Sequence, residues 1–187
     1  MTVLGVIAEG KSDVEVVGVL AGKIAGRSIP IRSAVGRGCG RLQKHALPWA
    51  RELHRRGCTR LMLVCDLDQN DLPELTARLS KALEAAPIAR RVVVIPVREI
   101  EAWLLADHEA VNRAFTGRRA LKQQANPESL VDPKSRLGEW VSQRSERRVE
   151  YVSTVHNAQI ARHAQVAQLR RCTSFRGFEA FVREHIG

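Results

Sequence analysis

Apolar residues in this chain come first in compact runs and later in helical stripes. Val3 to Ala8 is unbroken apolar sequence ending at Glu9-Gly10, which predicts a buried strand. Val14, Val17, Leu20, Ala21 and Ile24 then recur at helical spacing, so a helix is expected through about Ala25. Ser12 with Glu15 three residues on has the form of a capping box at its start. A weaker strand follows over 28–35, with Pro30 near its beginning. Gly36-Arg37-Gly38-Cys39-Gly40 reads as a flexible loop, and a helix from about Leu42 to Arg56 stops at Gly57. Arg60 to Cys65 is the strongest strand after the first. Asn70 or Asp71 can cap a helix running to about Ala85, and Arg91 to Val97 is a fourth strand that Pro96 ends or bulges. Glu99 to Ala106 reads as a helix. The rest is mainly helical, with loops around 116–133 and 171–175.

Strand and helix therefore alternate over 1–97. That predicts an α/β, Rossmann-like, mostly parallel four-stranded sheet flanked by helices. We divide the chain into an α/β core, 1–107, and a helical C-terminal extension, 108–187, packed on it as one compact unit.

Charge changes the picture. The 187 residues carry a net charge of +10, and 24 of the 30 cations are Arg. Arg forks onto phosphate in bidentate geometry, so a polyanion such as DNA or RNA is the expected partner. Aromatic residues make up only 4%, which argues against a base-stacking platform. Arg37 and Arg41 flank the glycine loop, and Arg118 and Arg119 lie in a second basic cluster; these are the candidate nucleic-acid contacts. The cluster Arg144, Arg147 and Arg148 either tracks a nucleic-acid backbone or is a solvated helix face, and His156 and His163, two turns apart, read as surface or packing residues. Cys39, Cys58, Cys65 and Cys172 form no zinc-binding spacing. The first ten residues are too short and too soon acidic for a signal peptide, and no apolar stretch is long enough to cross a bilayer. A cytoplasmic protein that does not engage the membrane is expected.

The acids carry the chemistry. Glu9 lies just past the first strand, and Asp66 and Asp68 just past the third. Carboxyl ends of parallel strands are where open sheets bind ligands. Asp13 falls in the first turn of the next helix and can face the same crevice. Packed carboxylates repel unless a cation neutralises them, and hard oxygen donors suit Mg²⁺ or Mn²⁺. A second cluster, Arg98-Glu99-Ile100-Glu101-Ala102-Trp103-Leu104-Leu105-Ala106-Asp107, maps onto a helix of about 100° per residue. There Glu101 falls inside the apolar arc while Glu99 faces the polar side. A carboxylate set among hydrophobes needs a partner, whether a cation or a hydrogen-bond donor.

Glu9-Gly10-x-Ser12-Asp13, Asp66-x-Asp68 and the string from Arg98 to Asp107 resemble a bacterial family of unknown function with a TOPRIM-like fold. That family is related to the nuclease domains of the OLD (overcoming lysogenisation defect) proteins and to RloB-like proteins. Asp132-Pro133-Lys134 and Cys172-Thr173-Ser174-Phe175 also look like family features. The resemblance implies a TOPRIM fold, a metal site of Glu9, Asp66 and Asp68 completed by Asp13 and Glu101, and Lys134 as a catalytic cation. It implies Mg²⁺- or Mn²⁺-dependent hydrolysis of DNA or RNA phosphodiesters, in phage defence or DNA processing, with an ATPase partner. The only Tyr, Tyr151, has no motif around it to support a topoisomerase. No P-loop is present. Two rival readings stand beside this one. In a haloacid-dehalogenase-like phosphatase, Asp66 would be the nucleophile and Asp68 an acid. Alternatively the chain is a catalytically inactive basic subunit that binds nucleic acid or assists an ATPase.

Overall fold

The computed structural model describes residues 2–187. Four strands, β1 (Leu4–Ala8), β2 (Ile31–Val35), β3 (Arg60–Val64) and β4 (Arg91–Val94), form one all-parallel sheet in the order β2-β1-β3-β4. Helices α1 (Lys11–Ala25), α2 (Cys39–Arg55) and α3 (Leu72–Ala82) connect them. The remainder folds as α4 (Glu101–Leu105), α5 (His108–Ala114), a 3-10 turn at Pro127–Ser129, α6 (Pro133–Arg144), α7 (Ser153–His163), α8 (Val166–Leu169) and α9 (Thr173–His185). This is the Rossmann-like α/β arrangement with C-terminal helices that the alternation of strand and helix predicts.

Strand alternation sorts the core into two layers. Leu4, Val6 and Ala8 of β1, with Met62 and Val64 of β3, face α1 and the C-terminal helices. Ile7, Leu61, Leu63 and Cys65 face α2 and α3. All five residues of β1 are buried, so the unbroken apolar run marks a strand covered on both sides. The first layer mixes both parts of the chain. Trp103, Trp140, Phe175 and Phe178 are at most 2% exposed and pack with Leu20 and Met62 in the same cluster.

Several boundaries differ from the sequence reading for local reasons. α1 starts directly after Gly10, so Asp13 and not Glu15 closes the first turn, its Oδ2 accepting from Gly10 N–H at 2.8 Å. Ser12 is buried within the helix instead of capping it. β2 begins at Ile31, because Pro30 has no N–H and meets the ladder only through its carbonyl, which accepts from Leu4 N–H at 3.0 Å. α2 starts at Cys39, since Gly38 turns the chain at φ +84° and shortens the expected loop. Asp71 caps α3, accepting from Glu74 N–H at 3.0 Å, and α3 ends at Ala82. β4 stops before Pro96, α4 is confined to Glu101–Leu105, and α9 already begins at Thr173.

Candidate acidic site at the carboxyl edge of the sheet

From β1 the chain steps outward to β2, then returns past β1 to β3. The ends of β1 and β3 thus flank the point where the winding reverses, the usual ligand crevice of such sheets. Glu9 follows β1 and Asp66-Leu67-Asp68 follows β3. Backbone bonds beyond the strand ends fix the second loop. Leu67 N–H donates to Pro96 O at 3.0 Å, Asp68 N–H donates to Arg98 O at 3.0 Å, and Arg98 returns a guanidinium bond to Asp68 O at 2.9 Å. Asp68 and Arg98 both adopt left-handed backbone, φ +47° and +63°. Non-glycine residues hold that conformation only where their surroundings enforce it.

The five predicted acids converge. Asp66 has its carboxyl pushed well above the usual range, first by burial and then by the charges of Asp13, Glu101, Glu9 and Asp68. Asp13 is pushed up to about 6 by burial, against its bond from Gly10, with Glu101 and Glu9 adding to the rise. Glu9 is raised by burial, opposed by a hydrogen bond from the Cys65 thiol, and raised further by Asp68. That thiol donates to Glu9 Oε1 at 3.1 Å. Asp66 Oδ1 accepts from Ile100 N–H at 3.0 Å.

Glu101 is 5% exposed, as its place in the apolar arc predicts. Asn157 Nδ2 donates to its Oε1 at 3.0 Å, and the Tyr151 hydroxyl, whose single proton is shared between Asn157 Oδ1 at 2.5 Å and Glu101 Oε1 at 3.3 Å, braces both groups. Asn157 also donates to Ser12 Oγ at 2.9 Å, and Ser12 donates to Ser153 O at 3.2 Å. Burial and the neighbouring Glu101 push the Tyr151 phenol up, so it stays a donor. Sequence reasoning missed this support. Asn157 leads the stripe Asn157, Ile160, Ala161, Ala164, in which the last three are buried apolar residues, and it shares their burial. One polar residue in an apolar stripe is the signal that would have found it.

Lys134 is exposed at the start of α6, where its charge works against the rise of Asp13. Its N–H donates to Glu99 Oε2 at 2.9 Å. Asp132 caps α6, accepting from Ser135 N–H at 2.7 Å, so the Asp-Pro-Lys motif sets where this helix begins beside the acids. Ser174 of the second motif accepts from Trp103 Nε1 at 2.8 Å and anchors α9 on the core.

Arg37 and Arg41 are exposed on the turn into α2, next to Glu9, where Gly36 N–H donates to Ala8 O at 3.0 Å. Arg118 and Arg119 lie elsewhere. They are exposed beside the far end of α6, where Arg118 N–H donates to Glu146 Oε1 at 2.9 Å. Lys134 and Arg144 lie ten positions apart on α6, about 15 Å along the axis. Arg144 bonds the backbone carbonyls of Asn112 and Gly117 and works structurally, not as a free surface cation.

None of the five converging acids forms a salt bridge among the described residues. Among those residues, too, no three acid, imidazole or thiol groups stand as a ready-made metal cage. The carboxylates share a field, not a finished coordination sphere. Their chemistry nonetheless fits a hard dication: all donors are oxygens, and their charges oppose one another.

No helix is long and apolar enough to cross a membrane. No curated protein and no solved structure matches the chain. A family model described as a domain of unknown function, DUF4276, matches residues 8–183, so the chain belongs to that family.

Proposed function

We propose that this protein is a metal-dependent nuclease that hydrolyses phosphodiester bonds of DNA or RNA. One observation carries the reading. Five carboxylates from segments far apart in sequence crowd the ligand crevice of a parallel sheet, and among the described residues none of them forms a salt bridge, with Lys134 offsetting Asp13 only in part. Such repulsion is retained where a divalent ion resolves it.

Glu9, Asp66 and Asp68 would hold one Mg²⁺ or Mn²⁺, and Asp13 and Glu101 would help hold a second. Bound there, the metal supplies an activated water and neutralises charge on the phosphate. The chain's own residues orient this set. Asn157 and Tyr151 fix Glu101, Ile100 N–H fixes Asp66, Gly10 N–H fixes Asp13, and the Cys65 thiol fixes Glu9. Lys134 would place positive charge against the phosphate, and the Arg-rich surface, Arg37 and Arg41 nearest, would draw the polyanion in. The order of the acidic motifs supports placing the site among TOPRIM-type nucleases near the OLD and RloB-like proteins. With that placement come an ATPase partner and a role in phage defence or DNA processing. We also place the protein in the cytoplasm, in keeping with its four free cysteines.

The test is cleavage of plasmid, single-stranded DNA and RNA with Mg²⁺ or Mn²⁺, comparing the natural chain with Glu9→Ala and Asp66→Ala. We expect metal-dependent cleavage that both variants lose while remaining folded. Nucleic-acid binding indifferent to chelator, with no cleavage under any metal, would instead make this a basic accessory subunit. A trappable phosphate on Asp66 would make it a phosphatase.

A further inference from the structure

β2 is an edge strand, and its free side is open. Leu4 N–H donates to Pro30 O and Gly36 N–H donates to Ala8 O, both at 3.0 Å. Inward-facing residues of a parallel ladder alternate. Arg32 and Ala34 therefore also turn their backbone groups to β1. Ile31, Ser33 and Val35 turn theirs outward, and there they meet no partner among the described residues.

Beside this edge lies an open groove of about 880 Å³ between β2, α1 and α7. Val14, Val19, Ile29 and Ile31 give it an apolar floor, with the bare helix backbone of Gly18 and Gly22 between them. Ile31 and Ser33 both line it, so their side chains share the side on which the groove opens. Lys23, Arg27 and Arg162 rim the end near the start of β2. Lys23 donates to Arg162 O, and Arg27 donates to Ile186 O at 2.5 Å. None of the three is paired with a carboxylate among the described residues. Glu15 is the one acid on the lining.

We infer that this edge takes up an extended acidic segment of a partner protein as a fifth strand. The outward groups of Ile31, Ser33 and Val35 supply main-chain bonds, and alternate apolar side chains of the segment enter the groove. Acidic residues at one end of the segment meet Lys23, Arg27 and Arg162. A second copy of this chain fits less well, because it brings only Glu15 to three cations and adds a further net charge of +10. The site uses none of the residues to which the nuclease chemistry above is assigned and stands independently of it.

The probes are the synthetic peptide acetyl-Glu-Glu-Val-Thr-Val-Thr-Val-amide, the same sequence reversed, and versions with Lys in place of Glu. Calorimetry should show saturable binding of at least one glutamate peptide, with Kd below about 1 mM. Hydrogen exchange at the Ser33 and Val35 amides should slow on binding. Ser33→Pro removes an outward donor without touching the β1 ladder, and should weaken binding about tenfold or more. Lys23→Glu combined with Arg27→Glu should do the same. The inference is overturned if neither glutamate peptide binds, if the lysine versions bind equally well, or if a folded Ser33→Pro chain binds unchanged. It is also overturned if the natural chain dimerises through this edge. Should Ser33→Pro not fold, amide exchange in the natural chain decides: protection supports the added strand, and its absence rejects it.

Discussion

Two places in this molecule bury carboxylates, and they treat them in opposite ways. Glu179 on α9 has a side chain only 9% exposed, and two cations meet it. Arg170 forks onto both its oxygens at 2.8 Å, and Arg183 bonds Oε1 at 2.8 Å. The Arg170 bond, set against desolvation and aided by Arg183, holds its pKa down at about 2. At the end of β1 and β3 the sign is reversed. Five acids crowd together, none forms a salt bridge among the described residues, and both Asp13 and Asp66 are pushed up. A chain with 24 Arg had ample means to neutralise that cluster internally. Glu179 shows what an acid kept for stability looks like here. The crevice acids have no such partner among the described residues, and their mutual repulsion raises Asp13 and Asp66 instead.

The contrast breaks most sharply at Asp66, which feels every other acid of the cluster. Asp66→Asn removes one charge and keeps the acceptor for Ile100 N–H, so the fold should survive. Cleavage should fall below detection, and calorimetric uptake of Mn²⁺ should weaken with it. Retained Mn²⁺ uptake and cleavage would make the cluster another structural charge site. A smaller loss should follow from loosening Glu101. Asn157→Leu removes the Nδ2 donor from Oε1, and Tyr151→Phe removes the hydroxyl that braces both Asn157 and Oε1, each without removing the carboxylate. Partners that orient a ligand are worth about 10- to 100-fold in metal affinity or activity. We expect cleavage to drop by that factor with a parallel shift in the Mn²⁺ requirement. A loss of cleavage unrelieved by excess Mn²⁺ would separate these residues from metal holding.

Much of this contrast was legible in the sequence on one side only. The positions of Glu9, Asp66 and Asp68 just past strand ends are legible because each follows an apolar strand, and strand runs are local signals. Glu101 stood out because a helical face exposes its misfit. What holds Glu101 was not legible: Asn157 and Tyr151 lie 56 and 50 residues away, and only tertiary packing brings them in. Glu179 was invisible for a similar reason. Its partner Arg183 sits at the favourable helical spacing, but Arg170 precedes α9 and reaches it across a turn. The Ser12–Glu15 capping box failed by two residues, because Gly10 ends the strand so abruptly that the helix begins at Lys11.

Stability against pH should separate the two sites in the metal-free protein. For Glu179 the folded pKa is depressed, so its contribution is present above the unfolded value near 4.5 and is lost as pH falls toward about 2. Glu179→Gln should cost about 2 kcal/mol at neutral pH, a lowering of Tm by several degrees, and the cost should fade in acid.

For Asp13 the folded pKa is raised from 3.8 to about 6, so folding tolerates the protonated acid and resists the charged one. Its contribution is therefore fully present below 3.8 and is lost as pH rises through about 6. Asp13→Asn keeps an oxygen for Gly10 N–H and removes the charge. It should stabilise the metal-free chain at pH 8 by roughly 1–2 kcal/mol and leave it unchanged at acid pH. Saturating Mg²⁺ should raise the Tm of the natural chain at pH 8 and do little for Asp13→Asn, since the ion and the substitution relieve the same repulsion. Thermal unfolding across pH, with and without Mg²⁺, reads both effects. If Asp13→Asn destabilises at pH 8 as Glu179→Gln does, the two acid sites are alike and the crevice charge is already balanced from within.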